Sequence, residues 1–80
     1  MLDYIASRGR VRVRILAYRP KLQDIPDGHL KVVIQAMEDQ TPIAEDPLHS
    51  EIASTLDLAR EFHLMRNEGW EIVASKAMLA

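Results

Sequence analysis

Cysteine is absent from this chain, which excludes disulfides, thiolate metal ligands and cysteine nucleophiles together. That composition suits a reducing compartment, and a cytoplasmic location is expected. Long apolar runs are missing too. No stretch approaches the ~18 uninterrupted apolar residues of a membrane span. No apolar run follows basic residues near Met1, so no signal peptide is expected. Glycine occurs only three times, and neither a phosphate-cradling glycine loop nor a G-x-S-x-G nucleophile turn can be built from those three positions. Aromatic residues make up 5% of the chain, so a core has to be assembled from aliphatic side chains.

What is present describes one small globular domain over residues 1–80. The chain is 48% apolar and 28% charged, too apolar for a disordered tail. A domain this short buries only about 60–65% of the surface its unfolded form exposes. Self-association is a common way to bury more. The net charge of −2 hides an asymmetry. From Met1 to Leu22, six cations accompany the single acid Asp3, whereas from Gln23 onward eleven acids accompany four cations. A bipolar chain can attract a polyanion, neutralise itself on folding, or associate head to tail. Neutralisation on folding is the ordinary outcome.

The hydropathy pattern predicts an α+β fold of two layers in the order ββαβ. Val11 to Arg19 alternates strictly and is rich in β-branched residues, with Val11, Val13, Ile15 and Ala17 on one face. Pro20 stops it. Ile25-Pro26-Asp27-Gly28 has turn chemistry, and His29 to Glu38 alternates again, so an antiparallel hairpin is expected. A helix is then read from Pro47 to Glu68. It has Asp46 as its N-terminal cap, Leu48, Ile52, Leu56, Ala59 and Phe62 on its apolar stripe, and Gly69 as its left-handed stop. Trp70 to Leu79 reads as a closing strand, in the sheet interior or at a subunit interface. Residues 1–10 read as an N-terminal arm or an extra strand.

The sharpest chemical feature is Arg8-x-Arg10-x-Arg12-x-Arg14. On one strand these guanidinium groups would share a face at ~6.8 Å intervals. That is close to the spacing of successive phosphates, which arginine grips bidentately. Tyr18 lies on the same face and can stack on a base. The alternative is a solvated or protein-facing stripe paired with carboxylates. Arg8, Arg10, Arg12, Arg14 and Tyr18 are therefore the candidate partner- or nucleic-acid-binding residues. The acidic remainder of the chain argues against a polyanion.

No catalytic residue, metal site or cofactor is expected. The acids Glu38, Asp39, Glu45 and Asp46 lack the D-x-D-x-D-G spacing of a calcium loop. His29, His49 and His63 offer no zinc pair at i, i+4.

The segment Asn67-Glu68-Gly69-Trp70-Glu71-Ile72-Val73 resembles a small uncharacterised bacterial domain family in which a helix ends in a "GWE" turn followed by an aliphatic strand. The resemblance covers the last third of the chain. It implies a fold and carries over no functional residues. The functional expectation is a non-catalytic interaction module that binds another protein and self-associates as a homo-oligomer. The alternatives are a nucleic-acid-binding regulator using the basic strand and a small oligomeric enzyme with a site between subunits.

Overall fold

Two alternating runs, 2–8 and 11–18, are separated by Gly9-Arg10, and this pair of residues folds the start of the chain. The computed structural model describes residues 1–38, 41–42 and 48–75. In it, β1 (Leu2–Arg8) and β2 (Val11–Tyr18) pair antiparallel from Leu2↔Ala17 to Arg8↔Val11. A two-residue hairpin whose twist matches its strands needs a positive φ at its first central residue, and Gly9 has φ 61°. The N-terminal segment is thus a full strand and not an arm.

The remaining strands are β3 (His29–Glu38), β4 (Thr41–Pro42), β5 (His49–Ser54) and β6 (Glu71–Ala74), with one helix, α1 (Thr55–Asn67). β3 continues the antiparallel sheet beside β2. Its other side carries β5 along His29–Ile34 and β4 at Met37–Glu38. β6 pairs with the outer side of β1. The sheet therefore runs β6-β1-β2-β3, and then β5 and β4. The chain crosses from one sheet edge to the other through α1, which lies on a single face. This is a two-layer α+β fold.

The order ββαβ is corrected on two counts. Five strands, not two, precede the helix among the described residues, and the helix starts at Thr55 instead of Pro47. The four-residue spacing of Leu48, Ile52 and Leu56 fits a helix that includes the residues before Thr55. In the fold these are 63%, 41% and 70% exposed, so that spacing does not mark a buried stripe. The same residues also alternate, and the open side of β3 offers a ladder of hydrogen bonds that an isolated helical turn cannot match. The cap is correspondingly Ser54, whose hydroxyl accepts from the Asp57 N–H at 3.0 Å. Asp46 lies outside the described residues, as do 76–80 of the expected last strand. β6 lies at the end of the described sheet, with β1 in its interior.

The helix end follows the expectation. Trp70 N–H donates to Met65 O and Gly69 N–H to Arg66 O, the paired bonds of a Schellman stop, with Gly69 at φ 96°. The core lies between α1 and the sheet. Ala6, Val13, Ile15, Ala17, Val32 and Leu58 are buried there, flanked by Leu2, Tyr4, Phe62, Met65, Trp70 and Ile72. The Tyr4 and Phe62 rings meet edge to face at 5.2 Å. With Leu58 the one buried residue of α1, the helix holds to the sheet through few side chains.

Candidate functional site

The hairpin redistributes the arginines. Arg8 precedes the Gly9 turn and pairs with Val11, so it falls on the face that carries Val13 and Ile15. There its guanidinium lies 4.8 Å from the centre of the Trp70 ring, a cation–π contact. Arg10 sits in the turn. Only Arg12 and Arg14 share a strand face, and they point away from α1 with Leu16 and Tyr18. Four guanidinium groups in a row, the premise of a phosphate ladder, are not what this chain presents. A two-residue turn interrupts the strand that the spacing assumed.

Arg14 is held by Asp3. Its Nε donates to Oδ1 at 3.0 Å and its Nη2 to Oδ2 at 2.6 Å, a bidentate fork. Asp3 is fully buried, whereas the Arg14 side chain keeps 27% of its surface. The hydrogen bond to Asp3 raises the Arg14 pKa above its ordinary value, against a smaller lowering by burial, so the guanidinium stays charged. Arg19, outside the candidate stripe, closes the β2–β3 loop by donating to the carbonyls of Ile25, Pro26 and His29 at 2.9–3.1 Å. Much of the basic segment is thus committed within the fold, to Asp3, to backbone carbonyls and to Trp70.

The face of the sheet turned away from α1 carries rows set by the strand registers. One runs Asp3, Leu16, Val33, Ser50, the next Val73, Ile5, Arg14, Gln35, and a third Tyr18, Lys31, Ile52. No helix covers this face among the described residues. Its centre carries the half-buried Ile5, Leu16 and Val33 beside the fully buried Asp3, and Val73 is 49% exposed. The Oε1 of Gln35 is buried with no hydrogen-bond partner among the described residues.

The opposite side holds a cavity of about 500 Å³ between α1 and the β3–β5 edge. Its floor is Ile15, Val32 and Ile34, its helical wall Leu58, Phe62 and Met65, and its rim His49, Glu51, Asp57, Arg60 and Glu61. The rim includes an exposed pair, His49 Nε2 to Glu51 Oε2 at 3.3 Å. The volume is within the range of ligand pockets, and the rim is rich in carboxylate. It offers no nucleophile beside a base. No group of three His, Asp or Glu positioned for a metal exists among the described residues, nor does any described helix have the length and apolarity to cross a membrane.

Both the rim pair and the exposed edge of β5 escape a helical reading of residues 47–54. The signal was there in the alternation of His49, Glu51 and Ala53 against Ser50, Ile52 and Ser54. The chain matches no protein-family model, no curated protein and no solved structure, so the functional reading rests on this geometry.

Proposed function

We propose that this chain is a non-catalytic interaction module that binds another protein through the open face of its sheet and also associates with itself. The observation that carries the reading is that face: the half-buried Ile5, Leu16 and Val33 on a sheet whose helix lies wholly on the other side. Antiparallel sheets often leave one face to water, but that face is then polar at alternate positions. Here the alternation brings apolar residues to both faces of β1, β2 and β3. Arg12, Arg14 and Tyr18 from the candidate set lie on this face. A polypeptide with apolar side chains is the partner this surface fits.

The test is capture from an extract of the native host with wild-type protein and with a Leu16→Glu/Val33→Glu variant, after circular dichroism shows both to be folded. A protein retained by wild type and lost from the variant supports the reading. Equal retention of every species by both proteins overturns it.

A further inference from the structure

We infer that β5 is the self-association surface, pairing antiparallel with β5 of a second copy about a twofold axis through Ile52. The inference deepens the self-association proposed above and does not depend on the open face being the partner-binding surface.

The argument starts from the ladder. The Thr55 N–H donates to the Gly28 carbonyl at 2.9 Å, and these two residues continue the register in which His29 opposes Ser54. In an antiparallel pair, bonded and non-bonded positions alternate. Ala53, Glu51 and His49 therefore bond inward to β3. Ser50 and Ile52 turn their N–H and C=O outward, and Ser54 turns out its N–H. No described strand lies beyond them. Proteins protect such edges with lysine, proline or very short strands. β5 has neither residue and runs for six positions, ~20 Å at ~3.4 Å per residue. Beyond it, Leu48 N–H also reaches the Ile34 carbonyl, at 2.8 Å. Two residues, Leu48 and His49, thus oppose Ile34, a bulge that ends the straight edge. A second strand can pair only along residues 49–54, which favours a closed dimer over an open-ended stack.

Charge excludes one register, and pairing about Ile52 places the largest apolar side chain of β5 at the centre. Pairing about Glu51 would set two Glu51 carboxylates directly opposite each other, which is destabilising. Pairing about Ile52 sets Glu51 opposite the partner's Ala53, Ser50 opposite the partner's Ser54, and Ile52 against itself. Ile52 is 41% exposed, and this pairing buries it against its own copy at the centre of the contact. A six-residue ladder centred on one large apolar side chain per copy sits at the small end of stable interfaces, so dissociation in the roughly micromolar range or weaker is expected.

The cysteine-free sequence makes the experiment clean. Single cysteines are placed at Ile52→Cys, Glu51→Cys and Val73→Cys and oxidised mildly. Residues bonded across an antiparallel pair have Cα atoms ~5.5 Å apart, within disulfide reach. The proposal expects Ile52→Cys to give a covalent dimer at least roughly tenfold faster than the other two, a rate ratio set by register. Fastest linkage at Glu51 or Val73 overturns it. Light scattering of wild type across a dilution series is the companion measurement. Mass should fall from dimer towards monomer on dilution, and a strict monomer at every concentration overturns the proposal. Ile52→Pro removes an outward N–H without touching the β3 ladder and should shift the dilution midpoint upward by roughly tenfold or more. An unchanged midpoint in a folded variant overturns the ladder. Loss of partner capture in the Leu16→Glu/Val33→Glu variant with the dimer intact would separate the two surfaces.

Discussion

A side chain at Gly69 should destabilise the fold by strain alone, and the size of the effect can be worked out. Gly69 has φ 96°, where an L-residue is strained because its Cβ crowds the backbone. The usual cost near the left-handed helical basin is about 1–2 kcal/mol, and 96° lies well beyond that basin's centre near +57°. Crowding by neighbours adds little, since a Cβ built on Gly69 meets only the Arg8 Cδ, at 3.9 Å. An opposing term comes from the unfolded chain, which loses freedom when glycine is replaced, worth about 0.4–1 kcal/mol in favour of the variant. Gly69→Ala should therefore cost about 1 kcal/mol net. Gly69→Val should cost more, because branching at Cβ restricts its χ1 further. Gly69→Asn should cost least, since asparagine tolerates positive φ. For a domain of this size, 1 kcal/mol lowers Tm by roughly 4–8 °C. Thermal and urea melts followed by circular dichroism read the series directly. A Gly69→Val variant that melts with the wild type, or an order in which asparagine is the most damaging, would refute the reasoning. Either outcome would mean that the Schellman geometry at Met65–Trp70 is not what ends the helix.

Two further substitutions probe other joints of the fold. Asp3→Asn keeps the shape but removes the charge from the fully buried acceptor of Arg14. Breaking a buried pair costs about 3–5 kcal/mol, and because Arg14 keeps some contact with water the loss should be nearer about 2–3 kcal/mol, read in a urea melt. A change under about 0.5 kcal/mol would show that the fork contributes nothing. Ser54→Ala should cost about 1 kcal/mol by leaving the Asp57 N–H without its cap, visible as a lower Tm and faster amide exchange in the first turn of α1. No change in either would move the helix start away from Thr55.

Some of this was legible in local sequence. The strict alternation of Val11–Tyr18 and His29–Glu38 is recovered almost residue for residue, because β-branched alternation specifies a half-buried strand wherever it pairs. Gly69 and Trp70 likewise marked the helix end, since a left-handed stop is a property of a few consecutive residues. The Gly9-Arg10 turn is equally local, but the regular spacing of four arginines across it mimics one continuous strand. Once a two-residue hairpin intervenes, Arg8 moves to the opposite face and against Trp70.

Other features had no local signature. Residues 47–54 satisfy a helical period and a strand period at once, and the open side of β3 decides between them, a partner some twenty residues away in sequence. The face turned away from α1 and the outer edge of β5 are likewise products of which strands became neighbours. The sequence by itself determined where strands alternate, where the chain turns and where its helix stops, for these depend on backbone preferences over a few residues. Only the tertiary structure decided that Asp3 holds Arg14 and that the outer edge of β5 meets no other strand among the described residues, because hydrogen-bond ladders and ion pairs form between segments that sequence distance does not relate.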